Sequence, residues 1–202
     1  MIDWYNILSD LAKTDDVIHS ESLAKSLNLS IQSLRVTLGR LQKRGLVQRA
    51  SNKIYINTLA PEFSVRDLAA AINPESYVSL ESALNEWGIY SQSPVALTCI
   101  SVRHTPSVRK KNMEIKFHEL KRSLFWGYIE KKTRYRTYRI AEPEKAILDW
   151  IYLRRKKSHP VELDEFEFGR VSRAKLARYA EQFPKPILQA IYPLLIERDF
   201  AA

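Results

Sequence analysis

The spacing of apolar residues changes once in the first part of the chain, and that change restricts the fold to three helices followed by a hairpin. The segment WYNILSDL has apolar residues at helical spacing, and SESLAKSLNL repeats the pattern from Ser20, a residue type that often caps a helix. A third apolar stripe, at positions 31, 34, 38 and 41, follows the cap residue Ser30 and ends before Gly45. Beyond that glycine, LVQRASNKIYI alternates apolar and polar residues on both sides of a polar turn at residues 50–53, which is typical of a β-hairpin. This order predicts a winged helix-turn-helix.

The solvent side of the third predicted helix is basic, and no Asp or Glu occurs between Gln32 and Arg49. At about 100° per residue, the positions opposite or beside the apolar stripe carry side chains that suit DNA. They are Gln32, Ser33, Arg35, Val36, Arg40, Lys43 and Arg44. Gln can pair with adenine, Arg can pair with guanine, and Val36 can contact a thymine methyl group. Arg49 and Lys53 of the hairpin suit phosphates, so this surface predicts binding to double-stranded DNA.

A basic helical face also occurs in modules that bind other proteins, and that alternative stays open. The acid-free face favours DNA, because such a face gains most from a polyanionic partner. The net charge of +9 and the sequence pI of about 9.6 agree with a polyanionic partner without naming one.

The proline in NTLAPEF interrupts the helical period, so we expect a DNA-binding domain at residues 1–58 and a second domain at residues 59–202. The second domain mixes predicted helices, as in SVRDLAAAI, with segments rich in β-formers, as in VALTCISV, EIKFHEL and TYRIA. We therefore predict an α+β fold with an antiparallel sheet. No apolar run is long enough for a membrane span and the N-terminus lacks the pattern of a secretory signal, so we expect a cytoplasmic protein with no membrane partner.

The segment YRIAEPEKAILDW carries three acids beside a lysine and is the first place to look for an active site. Pro143 suits the first position of a helix, and Glu142 and Glu144 would then lie at the helix N-terminus, where the dipole favours negative charge. Lys145 lies four residues before Asp149, which is the spacing of a helical ion pair. Glu144 and Asp149 are about 140° apart around a helix and cannot converge on one atom. We therefore assign structural roles to these acids.

Other catalytic and metal-binding patterns are incomplete. Glu114 and Lys116 lie on a predicted strand and match half of a metal-dependent nuclease core, but the preceding strand has no acid to supply the second metal ligand. The four histidines are scattered, the single cysteine, Cys99, lies in an apolar strand segment, and the five glycines form no phosphate-binding loop. We expect no catalytic residue, no bound metal and no cofactor.

Several segments of the second domain follow one another in an order that resembles a known family. PESYVSLESALNEWGI, LTCISVR, FWGY and TYRIAEPEKAILDWIYL come after a predicted winged helix, and this order is similar to that of AbiEi antitoxins of type IV toxin–antitoxin systems. The resemblance covers residues 2–155. It implies a bacterial transcriptional autorepressor that binds repeats in its own promoter and counters a nucleotidyltransferase-like toxin without a tight complex. It transfers no catalytic residue, because the matching positions are mostly core and helix-cap residues.

A second concentration of basic residues lies between residues 103 and 139. Its Lys and Arg side chains are interspersed with Tyr135 and Tyr138, a composition that suits a phosphate backbone or an acidic protein surface. They include Arg109, Lys110, Lys111, Lys131, Lys132, Arg134, Arg136 and Arg139. An equally good interpretation is that they discourage the edges of the sheet from pairing with another chain. The zone therefore extends the DNA contact, meets RNA or the toxin, or only protects strand edges.

Three functions stay open from the sequence. The first is a DNA-binding repressor that also acts as an antitoxin, and the second is a winged-helix regulator with no toxin partner. The third, which the residues favour least, is a nucleic-acid-processing enzyme. An adjacent gene for a nucleotidyltransferase separates the first two, while metal-dependent turnover that is lost on Glu114→Ala would identify the third.

Overall fold

The computed structural model describes residues 2–110, 112–197 and 200 of the chain. Within these residues the protein is a mixed α+β structure with eight α-helices and two sheets, which confirms the predicted class at this level. None of the helices in the described ranges has both the length and the apolar character needed to cross a lipid bilayer. Lys111, one of the residues assigned to the second basic zone, lies outside the described residues.

The N-terminal part folds into three helices and a three-stranded antiparallel sheet, and the predicted helices and hairpin are present. The side chain of Asp3 accepts hydrogen bonds from the first backbone N–H groups of α1, and that of Ser30 accepts one from the first turn of α3. Gly45 follows α3 with a φ of +76°, a conformation that other residues rarely adopt. The elements are α1 (Trp4–Leu11), β1 (Val17–His19), α2 (Ser20–Ser26), α3 (Ile31–Lys43), β2 (Val47–Arg49) and β3 (Ile54–Asn57).

The strand β1 is absent from the sequence prediction, and it changes the start of the second helix. The small sheet has the order β1-β3-β2, with Val17 opposite Ile56. The N–H of Ser20 donates to the carbonyl of Lys53 (2.8 Å), so the pairing of β1 with the hairpin continues to the first residue of α2. The expectation that Ser20 caps this helix is wrong, because His19 occupies the cap position and its side chain makes no capping hydrogen bond.

The rest of the chain builds a six-stranded sheet with helices packed against it. Pro143 takes the first position of its helix, as predicted. In chain order the elements are α4 (Val65–Ile72), β4 (Tyr77–Val78), α5 (Leu80–Glu86), β5 (Leu97–Ser101), β6 (Val108–Lys110), β7 (Met113–Glu119), β8 (Tyr128–Lys132), β9 (Thr137–Ala141), α6 (Pro143–Lys156), α7 (Arg173–Ala180) and α8 (Lys185–Glu197). Short 3₁₀ turns lie at Arg122–Leu124 and Phe168–Arg170.

The large sheet is mixed, which corrects the expectation of an antiparallel sheet. Its order is β6-β7-β5-β4-β9-β8. Strand β5 pairs in parallel with β7, and β4 pairs in parallel with β9, while the other neighbours are antiparallel. The connection from β5 to β7 runs through β6, which pairs with the outer side of β7 and leaves the inner side to β5. Strands β6 and β8 therefore form the two edges of the sheet.

Two apolar cores meet at the small sheet. Leu8, Leu34 and Tyr55 belong to the smaller core, which the first three helices form with β3. Ile54 and Ile56, on the other face of the same strand, belong to the larger core with α4 and the large sheet. All four residues of β3 are buried. The strand thus packs the elements on either side of residue 58 against each other.

Candidate nucleic-acid interface

The exposed face of α3 carries all the helix residues that the sequence assigns to DNA. Leu34, Leu38 and Leu41 are buried against the smaller core, and their burial fixes the rotation of the helix about its axis. The opposite side is open to solvent, and 57% of Val36 is exposed although its side chain is apolar. The exposed residues on this side and its flanks are Gln32, Ser33, Arg35, Val36, Arg40, Lys43 and Arg44.

The last turns of α3 and its C-terminal cap carry three exposed cations. Arg40, Lys43 and Arg44 form no ion pair with any residue that the structure describes. The negative end of the helix dipole lies near them and favours their charge modestly. Their side chains stay in water, so they are available to a polyanion.

The turn between β2 and β3 (residues 50–53, the β2–β3 turn) is held by its own side chains and by α3. Arg49 donates from Nε to the carbonyl of Ser51 (3.1 Å) and from Nη2 to Oδ1 of Asn52 (2.9 Å), so its guanidinium lies over the turn. The backbone N–H of Arg49 donates to Oε1 of Gln42 (3.0 Å) and ties the hairpin to α3. Sequence reasoning missed Gln42, because its partner is a backbone group brought close only by the fold.

Lys53, the other predicted hairpin contact, lies beside an acid of α2. Its Nζ is 2.8 Å from Glu21, and the two side chains are 60% and 58% exposed. The hydrogen bond from Lys53 is the main reason that the pKa of Glu21 is lowered. An ion pair this exposed contributes little to stability, so Lys53 can exchange Glu21 for a phosphate at small cost.

The second basic zone is not one surface, because the strand order divides it between the two edges of the large sheet. Arg109 and Lys110 lie on β6 at one edge. The remaining described members of the zone lie on or between β8 and β9 at the other edge. They are Lys131, Lys132, Arg134, Arg136 and Arg139. Two groups of cations that are near in sequence are thus separated by the three strands β7, β5 and β4.

Most cations of the β8–β9 edge pair with acids of the same molecule. Arg136 lies 2.5 Å from Asp15, and its side chain is 23% exposed. The other pairs join Lys131 to Glu86 (2.9 Å), Arg134 to Glu62 (3.5 Å) and Arg139 to Glu130 (3.7 Å). Burial alone would raise the pKa of Glu86, but the hydrogen bonds from Lys131 and Arg66 outweigh burial and lower it. These cations therefore join elements of the fold.

The acids of the segment YRIAEPEKAILDW do not converge on one site. Lys145 and Asp149 form the predicted ion pair, and both side chains are fully buried. Tyr77 and Ser79 donate hydrogen bonds to Oδ2 of Asp149 (2.9 Å each), and Lys145 donates to the Tyr77 hydroxyl. Glu144 instead accepts from the N–H of Ser172 (2.8 Å) at the start of α7. Burial raises the pKa of Asp149 and lowers that of Lys145, while their attraction opposes both shifts.

Glu114 and Lys116, the two residues that match half of a nuclease core, form ion pairs within the protein. Glu114 lies on β7, as predicted, and its carboxylate is 3.2 Å from Arg109 and 3.7 Å from Lys116. No group of three or more His, Cys, Asp or Glu side chains that could hold a metal ion occurs among the described residues. Cys99 is buried on β5, and burial raises the pKa of its thiol to about 12.

The chain matches no model of a protein family, and it matches no curated protein. A functional conclusion therefore rests on the residues and their geometry.

Proposed function

We propose that the protein binds double-stranded DNA as a transcriptional repressor, through a winged helix-turn-helix built from its first three helices and the small sheet. The order α1-β1-α2-α3-β2-β3 supports this fold. In a winged helix, the second helix of the pair enters the major groove and the hairpin that follows contacts the backbone. In this proposal α3 is the reading helix and the β2–β3 turn is the tip of the wing.

The observation that carries the proposal is the contrast between the cations at the end of α3 and those of the β8–β9 edge. Arg40, Lys43 and Arg44 are exposed and have no ion-pair partner among the described residues, whereas most cations of the β8–β9 edge have one. Unpaired cations on one face repel one another. They gain most from DNA, because binding releases the counterions that are condensed on its phosphates.

The side chains of α3 divide by the DNA groups that they suit. Gln32 and Arg40 have the geometry for paired hydrogen bonds to adenine and guanine, and the exposed Val36 suits a thymine methyl group. Phosphate contacts are assigned to cations at the end of the helix and on the hairpin. These are Lys43, Arg44, Arg49 and Lys53.

The proposal includes an antitoxin role, as the resemblance to the AbiEi family implies. The protein would repress its own promoter and counter a nucleotidyltransferase-like toxin without forming a tight complex. The two segments that are most specific to the resemblance, YVSLESAL and PEKAILD, meet in the core. Tyr77 and Ser79 of the first donate hydrogen bonds to Asp149 of the second. These matched residues therefore have a structural role in holding β4 and the turn before α5 against α6.

Fluorescence anisotropy tests the DNA-binding part of the proposal. The protein is titrated onto the duplex upstream of its own gene and onto a scrambled duplex of equal length. Arg40→Ala is expected to lose about 1–3 kcal/mol of binding free energy on the upstream duplex alone. Arg173→Ala, which removes an exposed helical arginine from α7, is expected to bind as the wild type does. Equal affinity of the wild type for both duplexes would contradict specific recognition.

Co-expression tests the antitoxin part. If a nucleotidyltransferase gene lies beside this one, its product is expected to arrest growth when expressed alone and to be tolerated when this protein is present. Arrest that persists in the presence of the protein would contradict the antitoxin role. In that case the DNA-binding result alone would stand, and it would describe a winged-helix regulator with no toxin partner.

A further inference from the structure

An open cleft of about 690 Å³ lies between the β2–β3 turn and the edge strand β6. Residues 50–54 form one wall, and residues 104–110 form the other. Ile72 and Asn73, at the end of α4, line the cleft between these walls. Asn73 donates from Nδ2 to the hydroxyl of Thr105 (2.8 Å) and so holds the loop that leads into β6. The cleft is thus built from three separate parts of the chain.

All the charged residues that the structure describes in the lining of this cleft are basic. Lys53 supplies a cation from the turn, Arg109 and Lys110 supply cations from β6, and none of the described residues that line the cleft is acidic. The lining also includes uncharged side chains that can donate hydrogen bonds. They are Ser51, Asn52, Asn73 and Ser107. Cations combined with neutral donors, without carboxylates, are what a sugar-phosphate backbone requires.

The two cations of β6 differ in their availability. The Arg109 guanidinium lies 3.2 Å from Glu114 of the neighbouring strand. Lys110, the last residue of β6, forms no ion pair with any described residue. Among the described cations that line the cleft, Lys110 is therefore the one whose charge no acid compensates.

We propose that the cleft binds the sugar-phosphate backbone of DNA that flanks the segment contacted by α3, with Lys110 as its main contact. This inference rests on the proposed function, because flanking DNA reaches the cleft only if the β2–β3 turn lies on the duplex. Lys53 belongs both to the turn and to the cleft, so the cleft continues the inferred DNA contact. An acidic protein would satisfy the charge of the cleft but not this continuity.

The opposite edge of the sheet provides the contrast that makes the assignment specific. Its cations are also numerous, but Arg136, Lys131 and Arg139 pair with acids of the fold. Lys132, the last residue of β8, resembles Lys110 in position and likewise has no ion-pair partner among the described residues. It lies at the far edge of the sheet from β6. Lys132 is therefore a matched control for Lys110.

The test measures binding to the upstream duplex by anisotropy over a series of salt concentrations. Each phosphate contact contributes about 0.9 to the slope of log affinity against log salt concentration. Lys110→Glu is expected to lower this slope by about 1 and to weaken binding about tenfold at fixed salt. Lys132→Glu makes the same change of charge and is expected to leave the slope unchanged. Thermal melting of both variants establishes that they are folded.

A second duplex, trimmed to the segment that the wild type protects most strongly from cleavage, tests the flanking position. On this duplex Lys110→Glu and the wild type are expected to bind equally. The inference is overturned if Lys110→Glu binds the upstream duplex as tightly as the wild type does, or if Lys132→Glu loses as much affinity for it as Lys110→Glu. It is also overturned if Lys110→Glu binds the trimmed duplex more weakly than the wild type. Failure of the proposed function looks different, because Arg40→Ala would then bind the upstream duplex as tightly as the wild type.

Discussion

The carboxylate of Asp16 lies buried where the N-terminal helices meet α4. Its Oδ2 accepts a hydrogen bond from the N–H of Ser64 (2.9 Å), and its Oδ1 has no hydrogen-bond partner among the described residues. Burial raises the pKa of Asp16 to about 6, the Ser64 hydrogen bond opposes the rise, and the charges of Asp67 and Asp15 add to it. An ionised carboxylate at this position therefore costs free energy at neutral pH.

Asp16→Asn is expected to stabilise the protein at neutral pH. The folded-state pKa of about 6 lies above the ordinary value of 3.8, so the folded state binds the proton more tightly than the unfolded state does. The stability that comes from this proton is present below about pH 4 and is lost as the pH rises through 6. Asparagine keeps an acceptor for Ser64 and carries no charge. We expect the free energy of unfolding, measured with urea, to rise by about 1–2 kcal/mol at neutral pH.

The pH dependence of that difference is the sharper measurement. Near pH 4 the wild-type carboxyl is protonated when folded, so the advantage of Asp16→Asn over the wild type is expected to vanish there. Asp10→Asn serves as the control, because Asp10 is 72% exposed on α1 and its one ion-pair partner among the described residues is Lys13. It is expected to change stability by less than about 0.5 kcal/mol at either pH. A gain from Asp16→Asn of the same size at both pH values would contradict the raised pKa.

Asp16 also illustrates which residues a sequence can and cannot reveal. Arg40 is predicted to be exposed because its neighbours Leu38 and Leu41 define a buried stripe within one helix, and the structure agrees. The burial of Asp16 depends on Ser64, which is far away in the sequence and close only after folding. Local spacing carries the first kind of information and not the second.

At the scale of elements, the same distinction separates what is predicted from what is not. The helices α1, α3 and α6 and the β2–β3 hairpin are predicted, because a local sequence pattern marks each of them. Strand β1 is missed, since three residues carry no detectable period and their partner is β3. The parallel pairs of the large sheet are missed because strand neighbours depend on the whole chain path. The division of the basic zone between two edges is missed for that reason too.

The contact between the β8–β9 hairpin and the N-terminal part predicts a difference between two neighbouring arginines. Arg136 bonds Asp15 through both Nε and Nη2, and the pair is largely shielded from water. Arg134 meets Glu62 at 3.5 Å in an exposed pair. Arg136→Ala is expected to lower the free energy of unfolding by about 1–3 kcal/mol, because it removes charge-assisted hydrogen bonds that join two elements. Arg134→Ala is expected to lower it by less than about 0.5 kcal/mol.

Urea unfolding of the two variants, followed by circular dichroism, measures this difference. Equal losses would contradict the assignment of Arg136 to the junction. The same variants bear on the DNA contact, because the interpretation of the β8–β9 edge as part of the fold predicts that Arg134→Ala binds the upstream duplex as the wild type does. A large loss of DNA affinity in Arg134→Ala would instead mean that the β8–β9 edge contacts DNA.

At the scale of the whole molecule, the distribution of charge follows from which cations the fold uses. The net charge of +9 says only that a polyanion is favoured. The fold pairs most cations of the β8–β9 edge, and it leaves Arg40, Lys43, Arg44 and Lys110 without an ion-pair partner among the described residues. The face of α3 could be predicted because one helix defines it. The cleft beside β6 could not, because three distant parts of the chain form it.

The sharing of β3 between the two cores predicts that the described elements unfold as one unit. Ile56→Ala, which truncates a buried side chain of the larger core, is expected to lower the free energy of unfolding by about 2–4 kcal/mol. Native-state hydrogen exchange is expected to give equal decreases for the amides of β3 and of β5, because both become exposed only in the global opening. Val36→Ala, an exposed change on α3, serves as the control. It is expected to change the free energy of unfolding, and the opening free energies of the β3 and β5 amides, by less than about 0.5 kcal/mol. A decrease in β3 with unchanged exchange in β5 would mean that the N-terminal part opens by itself, and the packing of Ile54 and Ile56 would then be too weak to couple the two cores.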